Sequence, residues 1–160
     1  MRLLSNKPCG NDMVKRAFLF ACHTGLGMAE LRMLKWSNID NGRLITNREK
    51  TTISINIKLS ESALRMIGEK GKPDEPIFNL NISDQAISKN LKNWVKSAEI
   101  EKNISFYCGR HTYAVLLLMN GNNLKTLADA MGQTSTRHTL KYLNHVDSLK
   151  DQATSNLPTI

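Results

Sequence analysis

FYCGRHTYAVLLLMNGNNLKTLADAMGQTSTRHTLKYLNH, residues 106–145, predicts three successive helices and holds the residues with the most chemistry in them. Arg110 opens an apolar helical run. A second short helix ends at Met131-Gly132, and a third carries a lone tyrosine, Tyr142. A guanidinium can clamp a phosphate and a phenol can attack one, so the pair points to chemistry on a nucleic-acid strand. No catalytic triad and no metal-ligand spacing competes with it.

The segments upstream read as a scaffold for this stretch. Residues 1–10 read as a ragged start. Asn11 or Asp12 can cap a helix through VKRAFLFACHTG that stops at Gly25. A second helix is expected over about Ala29–Leu34, its acid (Glu30) early and its bases (Arg32, Lys35) late, as the helix dipole favours. Trp36–Gly42 reads as a turn region. RLITNRE and TTISINIKL alternate and are rich in Ile and Thr, which predicts a β-hairpin turning near Lys50-Thr51. Ser60 can cap SESALRMIGEK, and Ser83 a long helix through SDQAISKNLKNWVKSAEI. In the latter, Ala86, Ile87, Leu91, Trp94, Val95 and Ala98 share one apolar face. The fold class is therefore mainly α with a small antiparallel β-hairpin sheet (α+β). Its divisions are an N-terminal segment (1–10), one domain (11–146) and a polar tail (147–160).

The chain has 160 residues, 41% hydrophobic and 22% charged, which suits one globular domain with a real core. Its net charge of +8 divides as +5 in the first 80 residues (thirteen Lys/Arg against eight Asp/Glu) and +3 in the second (nine against six). A folded basic domain attracts polyanions, nucleic acid above all. Three cysteines, an odd number without metal-like spacing, read as reduced, buried thiols of a cytoplasmic protein. MRLLSNKPCG lacks a signal-peptide core, and VLLLM is too short to span a bilayer.

Four segments then stand in a telling order: ACHTGLGMAELRMLKWSNI, the hairpin with REKT, FYCGRHTYAVLLL, and MGQTSTRHTLKYLNH. In that order they resemble the catalytic domain of the tyrosine recombinases, the phage-integrase family, most closely integrases on mobile elements of Bacteroides-type bacteria. The resemblance runs from about Val14 to Val146. It implies a site-specific recombinase that cleaves and rejoins double-stranded DNA through a 3′-phosphotyrosine intermediate. Tyr142 would be the nucleophile, Arg110 the family's second arginine, and Lys50 the general acid for the 5′-oxygen. It implies no metal and no small-molecule cofactor, self-association on DNA, and an N-terminal DNA-clasping domain that this sequence does not supply.

Three positions depart from the family pattern. Gly27 stands where the first arginine follows Thr24-Gly25-Leu26. Arg48, in the Arg48-Glu49-Lys50-Thr51 hairpin, is the candidate substitute, sharing a strand face with Lys50; Arg32 is the alternative. Tyr107 replaces a histidine, and Gln133 replaces a His or Trp. Both can hydrogen-bond, but neither is a good base near neutral pH. His138 and His145 lie within one helical turn of Tyr142, and His111 points about 100° away from Arg110. Losing one charge-stabilising donor typically slows an enzyme about 100- to 1000-fold, so a slow recombinase or a dead DNA-binding remnant are both open. A helix-turn-helix regulator, with 134–141 as recognition helix, is a rival reading. A protein-interaction domain with incidental basicity is another.

Overall fold

The computed structural model describes residues 2–49 and 52–145. Among these, helix α2 (Asp12–Thr24) is the central strut. Asn11 accepts the Val14 N–H at its start, and Gly25, at φ 69°, ends it in the left-handed conformation that glycine adopts without strain. Val14, Ala17, Phe20 and Ala21 are wholly buried on it. Against α2 pack α4 (Glu61–Ile67), α5 (Asp84–Ser97) and α6 (Tyr107–Met119). The α6 crossing is close because Gly109 lacks a side chain, and a Cβ there would meet the Ala21 Cβ at 3.0 Å.

Helix α3 (Met28–Met33) leads to strands β1 (Ile39–Asp40), β2 (Arg43–Asn47) and β3 (Ser54–Lys58), an antiparallel sheet in the order β1-β2-β3. Leu44 pairs with Ile57 and Thr46 with Ile55. Leu44 and Ile55 turn inward and are fully buried, which fixes the register against the core. Helix α7 (Leu124–Ala130), capped by Asn123, lies against α6 and β3.

The expected segments hold, with differences that have local causes. The ragged start contains a single helical turn, α1 (Arg2–Ser5), drawn in because Leu4 buries itself beside Phe18 and Trp94. The turn region at 36–42 holds a 3₁₀ turn (Trp36–Asn38) and β1, so the hairpin gains a third strand. The largest difference is the last helix. Residues 136–138 and 140–145 form two 3₁₀ segments, not one α-helix. Ser135 accepts the Arg137 N–H, and the Thr139 hydroxyl donates to the Thr136 carbonyl at 2.5 Å. Both side chains compete with the helical backbone bonds, as Ser and Thr do. The helix-turn-helix alternative loses its recognition helix by the same observation. Of the three thiols, only Cys22 is fully buried. Among the described residues no helix is long and apolar enough to cross a membrane.

Candidate active site

Arg110 is the anchor of the site. It rises from the first turn of α6 into a crevice between the ends of α2 and α7 and is only 4% exposed. Its guanidinium donates to the Gly25 carbonyl at 2.6 Å and the Met131 carbonyl at 3.0 Å. These bonds take two of its five N–H groups and fix the plane of the fork. Burial, and then the nearby Arg48 charge, lower its pKa; Tyr142, Tyr107 and Glu30 act the other way.

Arg48 follows the last residue of β2 and reaches the same place from the hairpin. Its Nη1 lies 2.9 Å from Glu30 Oε1, both side chains being nearly buried. The other oxygen of Glu30 accepts the Gly27 N–H at 2.9 Å. A Cβ on Gly27 would stand 2.7 Å from that oxygen. Glycine at 27 thus leaves room for a carboxylate, and the carboxylate orients a guanidinium arriving from the hairpin. The Arg48 stem crosses directly over Gly132, whose φ is 59° and where any Cβ would run into it. Arg32, the other candidate, is elsewhere. It bonds the carbonyls of Leu80 and Ile82 and pairs with Asp84 at 2.7 Å, holding the approach to α5.

Arg48, Tyr107, Arg110, Gly132, Gln133, Thr134, His138 and Lys141 line one open cavity of about 360 Å³. Gln133 sits with its Oε1 buried and without a hydrogen-bond partner among the described residues. Tyr107 is half exposed on the rim. Tyr142 is packed against this wall but is itself wholly buried, its hydroxyl without a hydrogen-bond partner among the described residues. Burial first, and then the Tyr107 phenol, push its pKa up to about 12, against the pull of Arg110. Lys50 lies outside the described residues.

Four of the expected residues (Arg48, Tyr107, Arg110, Gln133) therefore meet around one cavity, with Tyr142 beneath its edge. His138 reaches the cavity from its own 3₁₀ turn and not from a helix shared with Tyr142. Sequence reasoning missed two participants. Glu30 read only as a helix-start acid, because its partner is eighteen positions away on another element. Lys141 read only as the end of the alternative recognition helix over 134–141. Chemically, two fixed guanidiniums beside a phenol make a place where a phosphodiester could be held and attacked.

This is a helical domain with a three-stranded sheet and a cationic, phenol-bearing cleft. The family model of the phage integrase family matches residues 4–148, and the chain belongs to that family. A tyrosine recombinase of Pseudothermotoga lettingae is 24% identical over 155 residues, covering 91% of this chain and 54% of that relative. The chain thus spans about half the length of that curated relative. The catalytic domain of bacteriophage HP1 integrase has the same fold, with a TM-score of 0.68 at 22% identity over 98% of this chain and 90% of that one. The integrase of transposon Tn1549, in complex with transposon right-end DNA, gives 0.68 at 18% identity over 96% of this chain and 62% of that one.

Proposed function

We propose that this chain is the catalytic part of a site-specific DNA recombinase that cuts and reseals double-stranded DNA through a covalent bond to Tyr142. The observation that carries the reading is the convergence of Arg48 and Arg110, from a hairpin and a distant helix, on one cavity beside that phenol. Two guanidiniums can neutralise the non-bridging oxygens of a phosphodiester without a metal. The Tyr142 oxygen, having lost its proton, bonds to phosphorus. The bond from phosphorus to the 5′-oxygen breaks, and Lys50 protonates that oxygen. Rejoining is the reverse with another strand's 5′-hydroxyl. Tyr107 and Gln133 supply hydrogen bonds at the rim in place of the family's usual residues.

The Tyr142 hydroxyl is buried in this structure, so attack on a phosphodiester requires that it be uncovered. Family membership and the DNA-bound Tn1549 integrase support duplex DNA as the substrate and a mobile element as the setting, inside a cell. Self-association on paired sites follows from the same reading.

A duplex nicked near the cleavage point traps the adduct, because the cut fragment diffuses away. Incubated with it, the protein should yield a denaturation-resistant complex that Tyr142→Phe abolishes; an adduct surviving that change would refute the assignment. Lys50→Ala should be slow on ordinary DNA and recover on a duplex with sulfur in place of the bridging 5′-oxygen. A thiolate leaves without needing a proton.

A further inference from the structure

The phenol of Tyr142 is enclosed by a small set of charged and aromatic groups. From α6 come Arg110, Tyr107 and His111. The His111 ring meets Tyr107 edge-on at 4.6 Å between centroids and Tyr142 at 5.2 Å. From the turn that carries Tyr142 itself comes Lys141. Its ammonium lies 5.1 Å from the centre of the Tyr142 ring and 5.6 Å from that of Tyr107. Both distances fall within cation–π range. Arg48 and His138 face the shared cavity, and Lys141 lines it too.

We propose that Lys141 is an activating residue for Tyr142: its ammonium, seated over the ring and open to the cavity, stabilises the phenolate. The inference rests on Tyr142 being the nucleophile and says how that nucleophile becomes ionisable. A buried phenol ionises more readily beside a cation, which favours the charged form. Tyr107 and Gln133 carry no positive charge. Arg110 already holds two carbonyls, and part of its field and that of Arg48 is neutralised once a phosphodiester arrives. Among the described residues, Lys141 is a cation placed over the ring face, with the His111 imidazole edge-on to the same ring. It need not accept the phenolic proton, which leaves to water. It lowers the free energy of the anion that remains, whose ring attracts a cation more strongly than the neutral phenol does.

The chain has three tyrosines, so the test can be read residue by residue. Replace all of them with 3,5-difluorotyrosine, whose phenol is acidic enough to titrate while the protein stays folded. Follow each by fluorine NMR in the DNA-free protein, assigning signals with Tyr→Phe variants. Lys141→Gln should raise the Tyr142 midpoint by about one unit, the size expected for a cation lost within 4–6 Å, and leave Tyr113 unmoved. Lys141→Arg should restore the wild-type value. On the nicked duplex at pH 8, Lys141→Gln should form adduct about tenfold more slowly, one unit being tenfold in phenolate, with Lys141→Arg near wild type. A Tyr142 midpoint indifferent to residue 141, or an arginine variant as slow as the glutamine one, overturns the inference. If wild type gives no adduct, the recombinase reading fails, and the fluorine titration still decides whether Lys141 acts on Tyr142.

Discussion

At the scale of single residues, the site is an arrangement of cations that would repel one another unless anchored. Arg110 is anchored by carbonyls, which carry partial negative charge but no proton to exchange. Arg48 is anchored by a carboxylate that is itself tied to a backbone N–H. Removing one partner of a nearly buried pair leaves the other charge without compensation. Glu30→Ala should therefore cost about 3 kcal/mol of stability, read as a lower urea midpoint at an unchanged slope. It should also slow adduct formation about 100-fold, since Arg48 would lose its aim. Glu30→Gln, which keeps one acceptor oxygen but turns an NH2 donor toward the other N–H, should recover only part of each loss. Unchanged stability and rate in the alanine variant would mean that Arg48 is oriented by something else.

At the scale of elements, the parts that were legible beforehand are those set by neighbours in the chain. Asn11, Ser60 and Ser83 each cap the helix expected of them, because an N-cap is made by a side chain and a backbone N–H three residues apart. The Arg110 and Tyr142 boxes could likewise be found, since each is a short run at fixed spacing. The last segment was misjudged because Ser135 and Thr139 turn the backbone aside, and side-chain competition leaves no trace in apolar periodicity. Strand β1 is two residues long, too short to alternate. The Glu30–Arg48 pair was invisible because it joins separate elements.

The same elements set a pH limit. Burial pushes Cys22, on α2, from 9.0 up to about 12. Tyr113, on α6, and Tyr142, on the last turn, move from 10.0 to about 12, again mainly by burial. Each raised pKa means that the folded chain keeps a proton that the unfolded chain has released. Between the two values the folded state binds more protons, so stability falls as pH rises. Stability from these groups should be intact below pH 9 and decline from there toward 12. Thermal melts across that range would show it, and a Tyr113→Phe variant should decline less steeply. A flat melting temperature to pH 11 would contradict the burial of these groups.

At the scale of the whole molecule, a net charge of +8 is distributed over both halves and not confined to one tail. Contacts to phosphate release counterions, so affinity for duplex DNA should fall linearly in log–log form with salt, by about 0.9 per contact. If Arg48 touches phosphate, Arg48→Gln should reduce that slope by about one and weaken all sequences alike. A slope indifferent to residue 48 would place the guanidinium away from the DNA. Central α2 links this surface to the core. Its C-terminal carbonyl at Gly25 holds Arg110, and its flank supports α4, α5 and α6. Loosening α2 should therefore disturb site and fold together.

The small space at Gly27 also constrains how this chain can change. Any side chain there enters the volume held by the Glu30 carboxylate. Gly27→Arg alone should be worse than the present sequence in both folding yield and adduct formation, and rescue should demand changes at 30 and 48 as well. A side chain at 27 and the Glu30–Arg48 pair therefore compete for one space.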